Sequence, residues 1–370
     1  MHDVAIIGGG IIGTSAAAFL AEAGASVVLF EQAEVAAAAS GRNSGVLQHP
    51  YDEVLGGFHI DTLDLYRELA AHDDDFDLPT EPAGLLLVSP DEDALAAAAS
   101  ALAASVPELA PTLIPASELA RLEPAVAAGI GACRLATGLA VVPGSATHAF
   151  ARRAVRAGAE LRLEGGHARV ESDGPRVTGV VTASGEMAPA GAVLVAAGPW
   201  TPALVPGWAD RPPIERTWGV VATMRLPAPP RAVLEELGID PAGAGGAYSF
   251  SLVTAGGATG VGSTFLKERP EPGALVERLV ARAAHFVPAV AGAQVAGVRM
   301  CARPVAFDGR PLVGAVAGTE GLYVCAGHGP WGMSIGPATA RLVSDEILRR
   351  LDVWSSAPEL AAQRLVGRET

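Results

Sequence analysis

The stretch RMCARPVAFDG, residues 299–309, sets Arg299, Cys301 and Arg303 between apolar segments, just ahead of an Asp308-Gly309 turn. A guanidinium beside core is costly unless something anionic meets it. Its planar fork binds a carboxylate through two parallel hydrogen bonds and stays charged throughout. Arg303 therefore reads either as a binder of a carboxylate ligand or as half of an ion pair with a neighbour such as Asp308. Arg299 reads as a structural or supporting residue. A cysteine between two such cations can become a thiolate, the reactive form of the residue.

A second chemistry sits at the start of the chain. GGGIIG directly follows the apolar run VAII and opens the alanine-rich segment IIGTSAAAFLAEAG, which SVVLF and Glu31 follow. Gly8, Gly10 and Gly13 fit G-x-G-x-x-G in the strand–turn–helix setting that binds a dinucleotide. Gly8 permits the tight turn, Gly10 lets a pyrophosphate approach the backbone, and Gly13 lets helix and strand pack closely. The helix N-terminus favours the phosphate charge, and Glu31 stands at the offset of a carboxylate that binds ribose hydroxyls. The motif by itself leaves NAD and FAD open.

Three later segments look built around the same ligand. AASGRNSGVLQH, residues 38–49, is short-side-chained and hydroxyl-rich, and it can wrap a cofactor with backbone and hydroxyl donors. AVLVAAGPWTPAL reads as a buried strand breaking into Ala-Gly-Pro-Trp, and GLYVCAGHGPWGMSIGPATARLVSDEIL reads as strand, glycine-rich turn and helix. A one-domain NAD enzyme has no evident use for cofactor-like turns at both ends of the chain, which favours a flavin.

The elements that must position these residues come from a chain of 370 residues, long enough for two domains. Half of it is apolar and mean hydropathy is +0.33, much of it from alanine. No apolar run reaches the ~18 residues of a spanning helix, and no signal core precedes DVAII, so a cytoplasmic protein is expected. A net charge of −14 argues against nucleic acid, which selects for basic stripes. Cys133, Cys301 and Cys325 are widely separated and show neither metal-ligand nor disulfide spacing. SPDEDAL reads as a helix start with Ser89 as N-cap and Pro90 in the first position. GVVATMRL, residues 219–226, and AYSFSLV, residues 247–253, read as strands.

Taken together, the Gly8–Gly13 loop with Glu31, SGRNSGV, LVAAGPWT, ARPVAFDGRPLVG and AGHGPWGMSIGPATA resemble the D-amino-acid-oxidase-like FAD-dependent oxidoreductases, which include glycine oxidase, monomeric sarcosine oxidase and D-amino-acid dehydrogenases. The resemblance covers nearly the whole chain and specifies the superfamily better than the substrate. SGRNSGV also resembles 2-hydroxyglutarate oxidases.

The resemblance implies a Rossmann-like α/β FAD domain from roughly 1–80, 142–210 and 299–360. This domain is interleaved with a smaller substrate domain from 81–141 and 211–298, built on an antiparallel-rich sheet with helices. It implies FAD contacts at Gly8, Gly10, Ile11, Ile12, Gly13, Glu31 and Gln32, at Ser40, Arg42, Asn43, Ser44 and Gly45, and at Ala168, Ala197, Gly198 and Trp200. Further contacts are implied at Arg303 and in the C-terminal turn at Gly327, Gly329, Pro330, Trp331, Gly332, Met333 and Ser334. Arg303 is expected to hold the carboxylate of an amino-acid-like substrate and Tyr248 to donate to the same group, while His49 and Gln48 face the substrate.

The implied reaction is oxidation of a C–N bond by hydride transfer to flavin N5, giving an imine that hydrolyses, with oxygen or a quinone as acceptor. No strong general base is implied, and His328 reads chiefly as structural. A 2-hydroxy acid as substrate, or a flavoprotein subunit needing a partner, are the other readings. Cys301 falls where monomeric sarcosine oxidases attach their flavin covalently, whereas its neighbours resemble the glycine-oxidase branch; noncovalent FAD is expected.

Overall fold

The computed structural model describes residues 1–238 and 248–365. The opening unit forms as strand His2–Ile7, helix Ile11–Glu22 and strand Val27–Phe30, with the two strands paired in parallel. The helix ends at Gly24, whose φ of +91° is a left-handed geometry open to glycine at little cost.

Around this unit a sheet runs in the order Leu312–Ala315, Leu322–Ala326, Met187–Val195, His2–Ile7, Val27–Phe30, Glu160–Arg162. Neighbours are parallel except the first pair. Strands Arg169–Asp173 and Arg176–Val181 hang from Met187–Val195 as an antiparallel meander. The central strands are apolar where both faces are covered, as at Val4–Ile7. Val4 and Ile6 pack with helices Ile11–Glu22, Ser145–Arg156 and Gly332–Ile347, while Ala5 and Ile7 pack on the opposite side. The first and last of these helices touch closely. A Cβ placed on Gly336 would lie 2.7 Å from the Ile12 side chain.

A second sheet runs Val295–Ala306, Ile214–Met224, Ala258–Thr264, Tyr248–Ala255, Val233–Glu236, Leu85–Ser89, Gly131–Leu135, Thr112–Ile114. It is antiparallel except where Val233–Glu236 meets Leu85–Ser89. Its two faces differ in chemistry. Val220, Ala222, Phe250, Leu252 and Val261 pack under helix Pro272–Phe286. The alternate residues Gly219, Val221 and Ser251 face a cavity between the sheets, as does Ser263, where the alternation along its strand is broken after Val261. Period-two alternation thus gives one face to the core and one to the site.

Two sequence expectations need correction. The boundary at 299 falls inside strand Val295–Ala306, which pairs along its length with Ile214–Met224, so the chain leaves this sheet only after Ala306. The helix after SPDEDAL spans Glu92–Ser105 and is capped by Asp91, whose carboxylate accepts from the Ala94 amide. Ser89 instead ends a strand and accepts from the Asp91 amide, leaving Pro90 outside the helix. Aspartate is the cap that also opposes the helix dipole. No described helix is long and apolar enough to cross a membrane.

Candidate functional site

A cavity of about 740 Å³ extends from the Gly8 turn to the polar face of the second sheet, with walls from both sheets and from the C-terminal turn. At one end the glycine loop is held by contacts that exclude side chains. Gly8 has φ +120°, and a Cβ there would lie 2.4 Å from the Ala196 carbonyl oxygen. A Cβ on Gly13 would lie 1.9 Å from the Gly8 carbonyl oxygen, so Gly13 sits beneath the turn and does not line the cavity. Gly10, Ile11 and Ile12 do line it, at the start of a helix whose first-turn amides have no intrahelical acceptor.

Glu31 closes the same end. Its carboxylate accepts from the Gly9 amide at 2.7 Å and the Ala33 amide at 3.0 Å, beside Gln32 on the wall. The loop after it folds into one helical turn, Ala39–Arg42, where Ser40 Oγ accepts from the Ile11 amide at 2.9 Å. Asn43 faces the cavity, yet its side chain is spent on the loop: it donates to the Ala39 and Ser40 carbonyls and accepts from the Gly45 amide. Arg42 and Ser44 line the cavity, whereas Gly45 turns behind it with φ +88°, against Val141.

Ala168, Ala197, Gly198 and Trp200 form the adjoining wall, together with His167 and Arg169, which the sequence did not single out. The C-terminal turn supplies Gly329, Pro330, Trp331, Gly332, Met333 and Ser334; Gly327 lies under it, against Ala306. Tyr66 donates to the Met333 carbonyl and His59 to the Ser334 carbonyl, which anchors the start of helix Gly332–Ile347 at the cavity. His328 is buried, with Nε2 2.8 Å from Thr339 Oγ1, and burial takes its pKa down to about 3. It is neutral at ordinary pH.

At the other end stands Arg303. Its guanidinium donates to the Thr264 carbonyl at 2.8 Å and to Ser263 Oγ at 2.7 Å, and lies 4.5 Å from the Phe265 ring centroid. Gly219 leaves the space for it, since a Cβ there would be 2.6 Å from the guanidinium. No carboxylate pairs with Arg303 among the described residues. Asp308 pairs with Arg364 instead. Burial pulls the Arg303 pKa below its ordinary value. An arginine nonetheless remains charged. Arg299 is off the cavity wall, donating to Thr223 Oγ1 at 2.9 Å.

Two expected substrate contacts lie elsewhere. Tyr248 is 38% exposed and its hydroxyl accepts from Arg278, outside the cavity walls. In its strand, Ser251 is the residue that points inward. His49 is 4% exposed but faces away, with Nδ1 accepting from the Tyr51 amide and Nε2 toward Glu108. Its neighbour Gln48 reaches the wall, as alternation along the chain requires.

Cys301 lines the cavity, 8% exposed. The sequence placed cations near it, and they are there. Burial nevertheless dominates and raises the thiol pKa, with Arg303, Arg42 and Arg299 pulling the other way. Gly219, Glu235, Ser251, Ser263 and Phe265 were not singled out from the sequence, which carries no local signal for them.

The residues at the glycine end fit a dinucleotide such as FAD. The cradle at Gly8 and Gly13 admits no Cβ, and a wall carboxylate stands ready for hydroxyls. Comparison with known proteins agrees. The family profile described as FAD dependent oxidoreductase (DAO) matches residues 3–346. Glycine oxidase of Pseudomonas aeruginosa is 27% identical over 98% of this chain and 99% of its own length. Glycine oxidase of Bacillus licheniformis is 28% identical over 94% of this chain and 93% of its own. Among solved structures, glycine oxidase of Bacillus cereus superposes with a TM-score of 0.85 at 23% identity, covering 100% of this chain and 99% of that one.

Proposed function

This chain belongs to the family of FAD-dependent oxidoreductases, and on that premise we propose that it oxidises the C–N bond of a small amino acid or N-substituted amino acid. The observation that carries the reading is Arg303, a buried cation on the cavity wall whose hydrogen-bond partners are neutral. A ligand carboxylate is what such a group lacks. FAD, when bound, supplies the acceptor for a hydride from the carbon bearing the amine, and the resulting imine hydrolyses in water.

The chain's part is to bind and orient. Gly8, Gly10 and the start of helix Ile11–Glu22 would hold the pyrophosphate, and Glu31 the ribose hydroxyls. Arg303 holds the substrate carboxylate, its plane set by Ser263, the Thr264 carbonyl and Phe265. Fixing one end of a small substrate removes the rotational freedom that otherwise slows the reaction. The buried His328 is a strut for the C-terminal turn and stays uncharged near neutral pH.

The test is anaerobic bleaching of the flavin band in the purified protein. Small amino acids or their N-alkyl derivatives are expected to bleach it. Bleaching by 2-hydroxy acids and by no amine overturns the reading, and bleaching only after another protein is added makes the chain a subunit.

We read the FAD as noncovalent, because the Cys301 thiol is buried and its pKa raised, which disfavours the thiolate that attachment needs. Acid precipitation is expected to leave a yellow supernatant. A yellow pellet with the flavin mass on the Cys301 peptide reverses this assignment.

A further inference from the structure

On the second sheet the cavity-facing residues form a row across four strands. Glu235 is the register partner of Ser251, Ser251 that of Gly262, and Ser263 follows, where the Arg303 guanidinium is anchored. Glu235, Ser251, Ser263 and Arg303 all line the cavity. Adjacent strands lie about 4.8 Å apart, so about 10 Å separates the backbone of Glu235 from that of the strand that anchors Arg303. A carboxylate and a guanidinium thus line one wall without pairing with each other, and neither has an ionic partner among the described residues.

The surroundings of Glu235 carry the next step. Among the described residues its carboxylate accepts from Gln48 Nε2 alone, at 3.4 Å, a long contact. Among the described residues, Gln48 Oε1 is buried without a partner, as is the Tyr51 hydroxyl, which feels the Glu235 charge. A carboxylate with one long hydrogen bond therefore stands beside an amide oxygen and a phenol hydroxyl that have none. Burial raises the Glu235 pKa to about 7, with the Gln48 hydrogen bond pulling the other way. The complement of this arrangement is an ammonium or other N–H-bearing cation.

We propose that Glu235 and Gln48 form a side-chain subsite for a cationic group, so that the preferred substrate carries a carboxylate for Arg303 and, across a short aliphatic chain, a second nitrogen for Glu235. This rests on the oxidation reading for the word substrate, but the two-ended recognition stands on binding alone.

The experiment is calorimetric titration of the FAD-loaded protein with 5-aminopentanoate and with pentanoate, which differ only in the terminal ammonium. The aminated acid is expected to bind at least tenfold more tightly. Glu235→Gln, isosteric and uncharged, is expected to remove about tenfold of that preference and leave pentanoate unchanged. Equal affinities in the wild-type protein, or no detectable binding of either acid, overturn the proposal without need of a variant. A preference that survives Glu235→Gln also overturns it.

A parallel arm compares anaerobic flavin reduction by ornithine and norvaline, each in both enantiomers, and by glycine. Glu235→Gln should slow ornithine selectively. Equal loss for all three means that Glu235 serves the α-amine, and the distal subsite falls. If no amino acid bleaches the flavin while the calorimetric preference holds, the oxidation reading fails and the subsite remains.

Discussion

Replacing Arg303 by alanine is expected to cost the enzyme most of its grip on substrate while leaving its flavin in place. The guanidinium is buried, has only neutral partners and faces the cavity. A bound carboxylate in the variant would be buried without its counter-charge. The loss for such a pair is about 2–5 kcal/mol, or about thirty- to several-thousand-fold in kcat/KM. Most of it should appear in KM, since the carboxylate is bound in ground and transition states alike.

Arg303→Lys separates charge from shape. An ammonium keeps the cation but cannot donate to Ser263 Oγ, the Thr264 carbonyl and a bidentate carboxylate together. It should recover part of the loss at most. Flavin content, read from the absorption band, should match wild type in both variants. An unchanged kcat/KM in Arg303→Ala would show that the guanidinium merely ties Ser263 to Thr264.

Gly13→Ala is expected to give colourless protein. In an isolated helix the change is favourable by ~1 kcal/mol. Here the new Cβ would sit 1.9 Å from the Gly8 carbonyl oxygen, and that atom belongs to the backbone of the turn itself. Neither side can yield without shifting the loop that would hold the pyrophosphate. Overpacking of this kind costs about 1–3 kcal/mol in stability. The larger effect should be on the cofactor, with at least a tenfold fall in FAD retained per chain and a lower Tm. Stoichiometric FAD with an unchanged Tm in Gly13→Ala would mean that the turn is not the phosphate cradle.

The contrast between these two positions shows which parts of the site were legible. The glycine loop is local: strand, turn, helix and Glu31 lie within the first 31 residues, and the contact that demands glycine at Gly13 is made inside that segment, whereas the one at Gly8 is made with Ala196. Arg303 was also legible, as an arginine where a core strand should have no charge. Its alternative partner was wrong, because Asp308 lies beyond the strand end and turns to Arg364.

His49 was misplaced by one residue and Tyr248 by three, across a register irregularity in its strand. On extended chain, adjacent residues point to opposite sides, so a position can be right to within a residue and the side chain still face away. Ser251 and Gln48 take the inward places instead.

By itself the sequence determined the glycine turn and, through the motifs that resemble it, the family, from which the two kinds of sheet followed. These depend on short-range patterns: glycines that admit no side chain, apolar strands covered on both faces, and alternation where only one face is covered. Only the tertiary structure decided what faces Arg303. Gly219, Ser263, Ser251 and Glu235 come from four strands, and no local rule ties them together. Strand order and register bring them onto one wall, and burial then decides their chemistry. It keeps the Cys301 thiol protonated beside three arginines and raises the Glu235 pKa. Solvation and long-range pairing are properties of the assembled fold, and no stretch of residues carries them alone.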